Sequence, residues 1–529
     1  MTNKIKTLTM QTKDLYNTPY RIGTNVDLIA ISIFFLLLIA SFNGGMGNDE
    51  GMWNYIGRVW TNGIPPYTGA VDGKPPGIFM LFAISNVLFG VNFWFPRILG
   101  ILAMVITSML IYLIGRQLYN PLAGTFAMIM FGLTMAWELM DGAYAAQIES
   151  FMILFIALAF YSLIKSQSAK ESRAYIISVF TSGFSMGIAI SFKQIAIFSA
   201  VALFLFFLNL DSRTNKNIWR DSLILFAGTI FSIYISLIPL LLSGVTIADY
   251  WRGAWLILVE EGSRQGAMNT SIGSRIVEFF HIWRYSEMIL FYPLVLLFII
   301  QKKRIRDNNI PFFGIIFWVI WDFLAVNASG NYYGHQLKQL IPSLALASGI
   351  AISTYFQENW FKAPNKRKQT VQIIVIIGVL WFPYDTFSKT LYTKIIVPYI
   401  KNIRPSYNEP LAKQLGTWIK ENTESEDYVL VWTDNLNQTL AYSERKSPSR
   451  YFNPLYANTQ SAKQELTNDV LNKPPKFILT SSNKGAIPEI EGIINEFYKY
   501  KFSKSTYDIF ERIGKNQMLS SMSPKTLHH

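Results

Sequence analysis

The chain has 529 residues, of which 51% are hydrophobic and only 15% charged, with a formal net charge of +13. A charged share this far below the roughly 25% usual for soluble domains excludes an ordinary soluble protein and fits a chain solvated by lipid. The lack of cysteine excludes disulfides and thiolate metal sites, and the basic residues sit in short clusters between apolar runs, which reads as topology signal and anionic-lipid contact, with no nucleic acid as partner.

The first apolar run, Val26 to Phe42, has no small-residue cleavage site after it and is expected to stay as a first helix. Further runs near 98–115, 121–140, 149–164, 174–192, 194–210, 222–243, 286–301, 310–327, 339–356 and 370–388 bring the expected total to about eleven transmembrane helices.

One more apolar stretch, Pro75 to Phe95, either spans or lies on the membrane surface. Charge separates the two cases. With a cytoplasmic N-terminus carrying Lys4, Lys6, Lys13 and Arg21, and no crossing at 75–95, nearly every dense basic cluster falls inside. These are Arg116; Lys165, Lys170 and Arg173; Arg213, Lys216 and Arg220; Lys302, Lys303, Arg304 and Arg306; and Lys362, Lys366, Arg367 and Lys368. A crossing would put every later cluster outside. The stretch is therefore expected to be an interfacial helix. The same topology gathers Asp49, Glu50, Asp72, Lys74, Arg97, Asp141, Glu149, Lys193, His335 and Lys338 on the exoplasmic side, at helix ends rather than mid-span.

After about residue 400 the composition turns soluble. Leu411 to Glu421, Asn435 to Tyr442, Ser461 to Leu471 and Ile487 to Phe497 have helical spacing. Tyr428 to Trp432 and Lys476 to Thr480 suit buried strands, and Tyr498 to Arg512 suits a hairpin. The expected organisation is a multi-span domain over 1–390, an exoplasmic α/β domain over 400–515 and a disordered tail over 516–529. No glycine-rich phosphate loop follows either strand, so no nucleotide is assigned.

Several residues are candidates for chemistry, each with a plainer alternative. Asp49 and Glu50 follow the first helix on a glycine-flanked turn, as a general base or cation ligand, or as solvated loop charges. Lys74, before Pro75-Pro76-Gly77, opens the surface helix, where free N–H groups attract anions; the same residues also serve as helix-start punctuation. Glu149 begins a span and is either functional or a helix cap. Lys193 sits at the tip of a hydrophobic hairpin and binds a phosphate or snorkels. Tyr333 and His335 suit an aromatic belt as well as a site. The loop 244–285, with Glu260, Glu261, Arg264 and Arg275, is long enough for a lid. Metal-ligand spacing is absent.

In order along the chain come Asp49-Glu50, Gly63-Ile64-Pro65-Pro66-Tyr67, Asp72-Gly73-Lys74-Pro75-Pro76-Gly77, Phe89-Gly90 and Arg97. The set resembles the GT-C membrane glycosyltransferases, especially bacterial relatives of protein O-mannosyltransferases and lipid A aminoarabinose transferases. The Glu149, Lys193 and Tyr333–His335 segments are similar to later motifs of that group. Val431-Trp432 and Ser449-Arg450-Tyr451 resemble its bacterial C-terminal domains.

The resemblance implies an α-helical polytopic fold with juxtamembrane helices in the first exoplasmic loop, in the cell inner (plasma) membrane. It implies transfer of a sugar from a polyprenyl-phosphate-linked donor to an acceptor glycan, lipid or protein outside the bilayer. By match, Asp49, with Glu50 beside it, takes the general-base or metal-ligand position and Glu149 the second acidic position. Lys74 and Lys193 would neutralise the carrier phosphate, with Arg97, Tyr333 and His335 completing the substrate-binding set. Gly73 stands where the aminoarabinose transferases carry a carboxylate, which argues against a metal site of their kind; a divalent cation on Asp49 and Glu149 stays open. The competing readings are a lipid-carrier flippase or transporter, and a noncatalytic glycolipid-binding relative.

Overall fold

A computed structural model of the chain describes residues 24–42, 45–137, 146–210, 218–259, 287–328, 333–359, 409–433, 435–482 and 486–513, with isolated positions between them. The chain is mostly helical and polytopic. Helices at Thr24–Phe42, Trp94–Leu118, Pro121–Met135, Ile148–Ser166, Ser172–Phe192, Ala196–Asn209, Ile218–Leu242, Phe291–Ile300, Phe312–Ala328 and Ile341–Asn359 each coincide with an expected span. Of the expected span 370–388, residues 380–386 are described and helical together with isolated positions before and after them, and the tail 516–529 lies wholly outside the described residues.

Length explains which helices cross. At about 1.5 Å per residue, the 25-residue helices Trp94–Leu118 and Ile218–Leu242 exceed a hydrocarbon core of about 30 Å. Ile148–Ser166, Ser172–Phe192 and the run Gly334–Phe356 are also long and apolar enough to cross. Local chemistry sets the ends. Pro121 follows Asn120, whose side-chain oxygen accepts from the Ala123 N–H at 2.8 Å, so the Pro121–Met135 helix starts there.

Gly77–Phe89 has 13 residues and is about 20 Å long. It buries Ile78, Phe79 and Phe82 against the protein and presents Ile84, Val87, Leu88 and Phe89 outward. It is apolar on both the face packed on the protein and the face turned outward. Phe89, Trp94 and Phe95 then cluster with ring centroids 4.6–6.0 Å apart, an aromatic anchor at the entry to the next span.

A second juxtamembrane helix, Asn48–Thr61, replaces the glycine-flanked turn expected around Asp49 and Glu50. Its glycines permit close contacts. A Cβ at Gly57 would lie 2.6 Å from the Ala83 nitrogen, so this is where the two surface helices cross. A Cβ at Gly51 would lie 2.6 Å from the Gln438 backbone, so this is where the C-terminal domain rests on the same helix. Burial of Trp53, Tyr55, Ile56 and Val59 offsets the low helix propensity, at about 1.5–3 kcal/mol for a large apolar side chain.

The C-terminal domain is a small α/β layer. Strands β1 (Val429–Trp432) and β2 (Phe477–Ser481) pair in parallel. β2 also pairs antiparallel with β4 (Tyr507–Arg512), and β4 forms a hairpin with β3 (Tyr498–Lys504), giving the order β1-β2-β4-β3. The strand period of two sorts the side chains between two cores. Val429, Val431, Phe477 and Leu479 join the core of the juxtamembrane helices. Leu430, Trp432 and Ile478 face the helices Gln460–Asn472 and Pro488–Phe497 on the other side. The domain and the juxtamembrane layer therefore share one apolar core.

Candidate functional site

Asp49 lies in the first turn of Asn48–Thr61, where an acid is favoured by the helix dipole. Burial raises its pKa above the ordinary carboxylate value; the charges of His335 and Lys74 pull it back, while Asp72 and Glu149 push it up further. Four ionisable side chains from three other parts of the chain thus act on one carboxylate.

Glu50, one residue on, turns the opposite way. Its Oε1 accepts from Arg97 Nε at 2.8 Å and from the Ala146 N–H at 2.7 Å. Its Oε2 accepts from Arg97 Nη2 at 2.6 Å and from the Gly47 N–H at 2.7 Å. Arg97 Nη2 also donates to the Gly45 carbonyl at 2.6 Å, and the guanidinium lies 4.6 Å from the Phe93 ring centroid. Both side chains have zero exposure. The sequence reading put Glu50 with the catalytic acids and Arg97 with the substrate contacts. In the structure the two are bound to each other: this buried bidentate pair fastens the first juxtamembrane helix to the Trp94–Leu118 helix.

Asp72 and Lys74 come from the loop between the two surface helices. Tyr67 holds that loop with φ of 69°, a left-handed conformation that a bulky residue adopts only under constraint. Its hydroxyl donates to the Lys74 carbonyl at 2.7 Å and its N–H to the Ala70 carbonyl at 2.8 Å. Asp72 is fully buried and accepts from Trp53 Nε1 at 2.9 Å and from the Tyr456 hydroxyl at 2.5 Å. Lys74 Nζ stands 3.6 Å from Asp72 Oδ1 and keeps 23% of its side chain exposed.

The third component is at the ends of three spans. Glu149, in the first turn of Ile148–Ser166, is ion-paired to Lys193, which terminates Ser172–Phe192. His335 Nε2 is 4.0 Å from the same Glu149 oxygen, and its ring stacks on Tyr333, which is exposed. Lys338, buried, donates to Ser150 Oγ at 3.0 Å. Gln194 joins this part to the Lys74 loop by donating to the Gly73 carbonyl at 3.1 Å and also to the Ala254 carbonyl. Ala254 belongs to Arg252–Leu256, a π-helical turn continuing the helix Ile247–Trp251, so the start of the expected 244–285 loop is helical. Glu260, Glu261, Arg264, Arg275 and Asp141 lie outside the described residues.

The structure therefore brings Asp49, Lys74, Glu149, Lys193 and His335 together with Tyr333 at the rim, and adds Asp72 and Lys338. Their charges could be read from the sequence but their partners could not. Among the described residues no group of three or more His, Asp or Glu side chains is placed to hold a metal ion. Glu149 is already neutralised by Lys193, so the Asp49–Glu149 pair does not fit a divalent cation. Among the described residues the expectation that charge stays at helix ends meets an exception within a span. Asp322, inside Phe312–Ala328 and fully buried, accepts from Ser199 Oγ at 2.6 Å, and Ser199 accepts from Gln339 Nε2 at 2.9 Å.

Residues 73–239 match the family described as dolichyl-phosphate-mannose-protein mannosyltransferase. Residues 411–512 match the putative competence-induced protein Ccs4 C-terminal domain. No curated protein sequence matches the chain. Among solved structures, ArnT from Cupriavidus metallidurans in the apo state is 14% identical, with a TM-score of 0.58 over 92% of this chain and 98% of its own. The same protein bound to undecaprenyl phosphate gives 14% identity and a TM-score of 0.54 over 93% and 99%. The Archaeoglobus fulgidus oligosaccharyltransferase complex with Zn and sulfate gives 12% identity and a TM-score of 0.57 over 92% and 73%.

Proposed function

Starting from a chain with the fold of the GT-C membrane glycosyltransferases, we propose that it transfers a sugar from a polyprenyl-phosphate-linked donor to an acceptor glycan, lipid or protein at the exoplasmic face of the inner membrane. The observation that carries the reading is the convergence of Asp49 with Lys74, His335, Asp72 and Glu149 at the ends of the spans, beneath two surface helices. ArnT, which shares the fold, has been solved with undecaprenyl phosphate bound.

In the proposed reaction the acceptor hydroxyl attacks the anomeric carbon and the bond from that carbon to the phosphate oxygen breaks. The electron pair leaves with the polyprenyl phosphate. Its negative charge needs preorganised cations, the role assigned to Lys74 and Lys193. The acceptor proton passes to Asp49, whose raised pKa brings its proton affinity closer to that of a working base. Glu149 holds Lys193 in place until the phosphate arrives, and His335 and Tyr333 line the acceptor side. Arg97 and Glu50 support the helix that carries Asp49.

The transporter reading is the weaker one, because the charged cluster sits at the helix ends rather than at the bilayer midplane. The deciding experiment is reconstitution in liposomes containing polyprenyl-phosphate sugars, with transfer measured for wild type and Asp49→Asn. Transfer by wild type and none by a folded Asp49→Asn protein supports the proposal. Full transfer by the variant removes the assigned base.

A further inference from the structure

Asp322 is a buried carboxylate that the transfer scheme leaves without a task. It lies inside the Phe312–Ala328 helix, with Ser199, Gln339 and Ser343 buried around it. Oδ1 accepts from Ser199 Oγ at 2.6 Å, and Oδ2 faces Ser343 Oγ at 3.5 Å. The one hydroxyl hydrogen of Ser199 goes to Asp322, and its oxygen accepts from Gln339 Nε2 at 2.9 Å. Gln339 Nε2 also reaches the Ile195 carbonyl at 3.4 Å. The bonds run in one direction, from Gln339 to Ser199 to Asp322, with the carboxylate at the accepting end.

These bonds join two segments that meet at Glu149. Ser199 is in the first turn of Ala196–Asn209, the helix that starts just after Lys193, and Lys193 is ion-paired to Glu149. Gln339 is in the 3₁₀ segment Gly334–Leu340. The same segment carries His335, 4.0 Å from Glu149, and Lys338, which donates to Ser150 Oγ at 3.0 Å. Ser343 belongs to the next helix, Ile341–Asn359. Asp322 therefore ties both site-bearing segments to a third helix. Apolar packing would hold these helices together about as well, since hydrophobes of similar volume often replace buried ionisable groups without loss. Packing has no direction, however, whereas a hydrogen bond sets which residue faces which. A carboxylate within a span is costly to bury, and what it supplies here is register.

We propose that Asp322 is a positioning residue for the transfer site: by anchoring Ser199 and, through it, Gln339, it sets the spacing of Lys193, His335 and Lys338 around Glu149 and Ser150. The proposal rests on the reading of this cluster as the site for the carrier phosphate. The ion pair of Glu149 with Lys193 stays as it is; what Asp322 fixes is the distance from that pair to the His335–Lys338 turn. Without the acceptor, the Ser199 hydroxyl and the Gln339 amide lose their common endpoint and turn to nearby backbone carbonyls. The 3₁₀ segment is then no longer held in register with the start of Ala196–Asn209. A shift of about 1 Å at such a site is enough to impair it.

The test measures binding of undecaprenyl phosphate to the full chain in nanodiscs, with melting temperature recorded for each variant. Asp322→Leu, which keeps the bulk and removes the acceptor, is expected to fold and to bind roughly tenfold more weakly. Asp322→Asn keeps a carbonyl oxygen for Ser199 and is expected to bind within about twofold of wild type. Ser199→Ala removes only the hydroxyl that links Gln339 to Asp322 and is expected to reproduce the loss of Asp322→Leu. The double variant Ser199→Ala/Asp322→Leu is expected to bind no worse than either single one, because both break the same link. A residue that merely stabilises the fold lowers the melting temperature and leaves binding by the folded protein unchanged. Wild-type binding by folded Asp322→Leu or by Ser199→Ala, additive losses in the double variant, or a loss in Asp322→Asn as large as in Asp322→Leu overturns the proposal. If Asp322→Leu does not fold, Ser199→Ala decides alone. Failure of the wild type to bind undecaprenyl phosphate, or equal binding by Lys193→Ala, instead overturns the reading of the cluster as the carrier site.

Discussion

Asp49 and Glu50 are neighbours in one helical turn, yet they occupy two regions with opposite physics. Around Glu50 every donor is fixed: Arg97, the Gly47 N–H and the Ala146 N–H saturate the carboxylate, and nothing is exposed. Around Asp49 charges of both signs act from four other side chains, and its proton affinity is raised by burial. The first region is an ion pair with its hydrogen-bond demand met. The second is a cluster of charges of both signs drawn from distant parts of the chain. A saturated buried pair stabilises geometry, whereas a cluster of interacting charges can do chemistry.

The contrast is broken most severely at Asp49. Asp49→Asn is expected to lower transfer by about 10²–10⁴-fold, the usual contribution of a positioned base, with its melting temperature close to wild type. Glu50→Ala or Arg97→Ala is expected to do the reverse and lose about 3–5 kcal/mol of stability, because one charge is left buried without its partner. Thermal melts in detergent distinguish the two patterns. A stable Arg97→Ala protein would show that the closed region is not needed to hold the helix.

A smaller effect is expected at Lys74, where removal of one cation from the leaving group should raise the donor KM about tenfold or more while the fold persists. Unchanged donor kinetics in Lys74→Ala would take the phosphate role from it.

The pH dependence sharpens the same comparison. Burial raises the Asp49 pKa in the folded chain, so the folded chain keeps this proton to higher pH than the unfolded chain does. Its contribution to stability is present below the unfolded value and lost as pH rises through the folded one. Activity runs the other way, because the base form appears over that same rise. The acid limb of kcat/KM should therefore lie above the ordinary carboxylate pKa of about 3.9. Lys74 and His335 lower the Asp49 pKa, so Lys74→Ala should move the limb to higher pH. A limb that stays in place would mean that Lys74 and Asp49 do not share a site.

Much of this was legible in the sequence where one period or one charge rule decides the outcome. Helices follow from apolar length, Gly77–Phe89 among them, and the strands β1 and β2 from short apolar runs. What the sequence hid depends on distant pairing. Nothing local says which of two adjacent carboxylates turns inward to Arg97, 47 residues later in the chain. Gly51 and Gly57 look like breakers until the Gln438 backbone and Ala83 are placed against them. The inner face of the sheet carries the same alternation whether it meets its own helices or the juxtamembrane layer. The contact of Tyr456 with Asp72 follows only once that face is docked.

The most direct measurement is a map at side-chain detail of the full chain in lipid nanodiscs with undecaprenyl phosphate bound. The account predicts phosphate density within about 3 Å of Lys74 Nζ, with Lys193 and Asp49 facing it and the lipid tail running down between helices. Phosphate density at the far end of the bundle, beside Arg116 and Lys165, would contradict it.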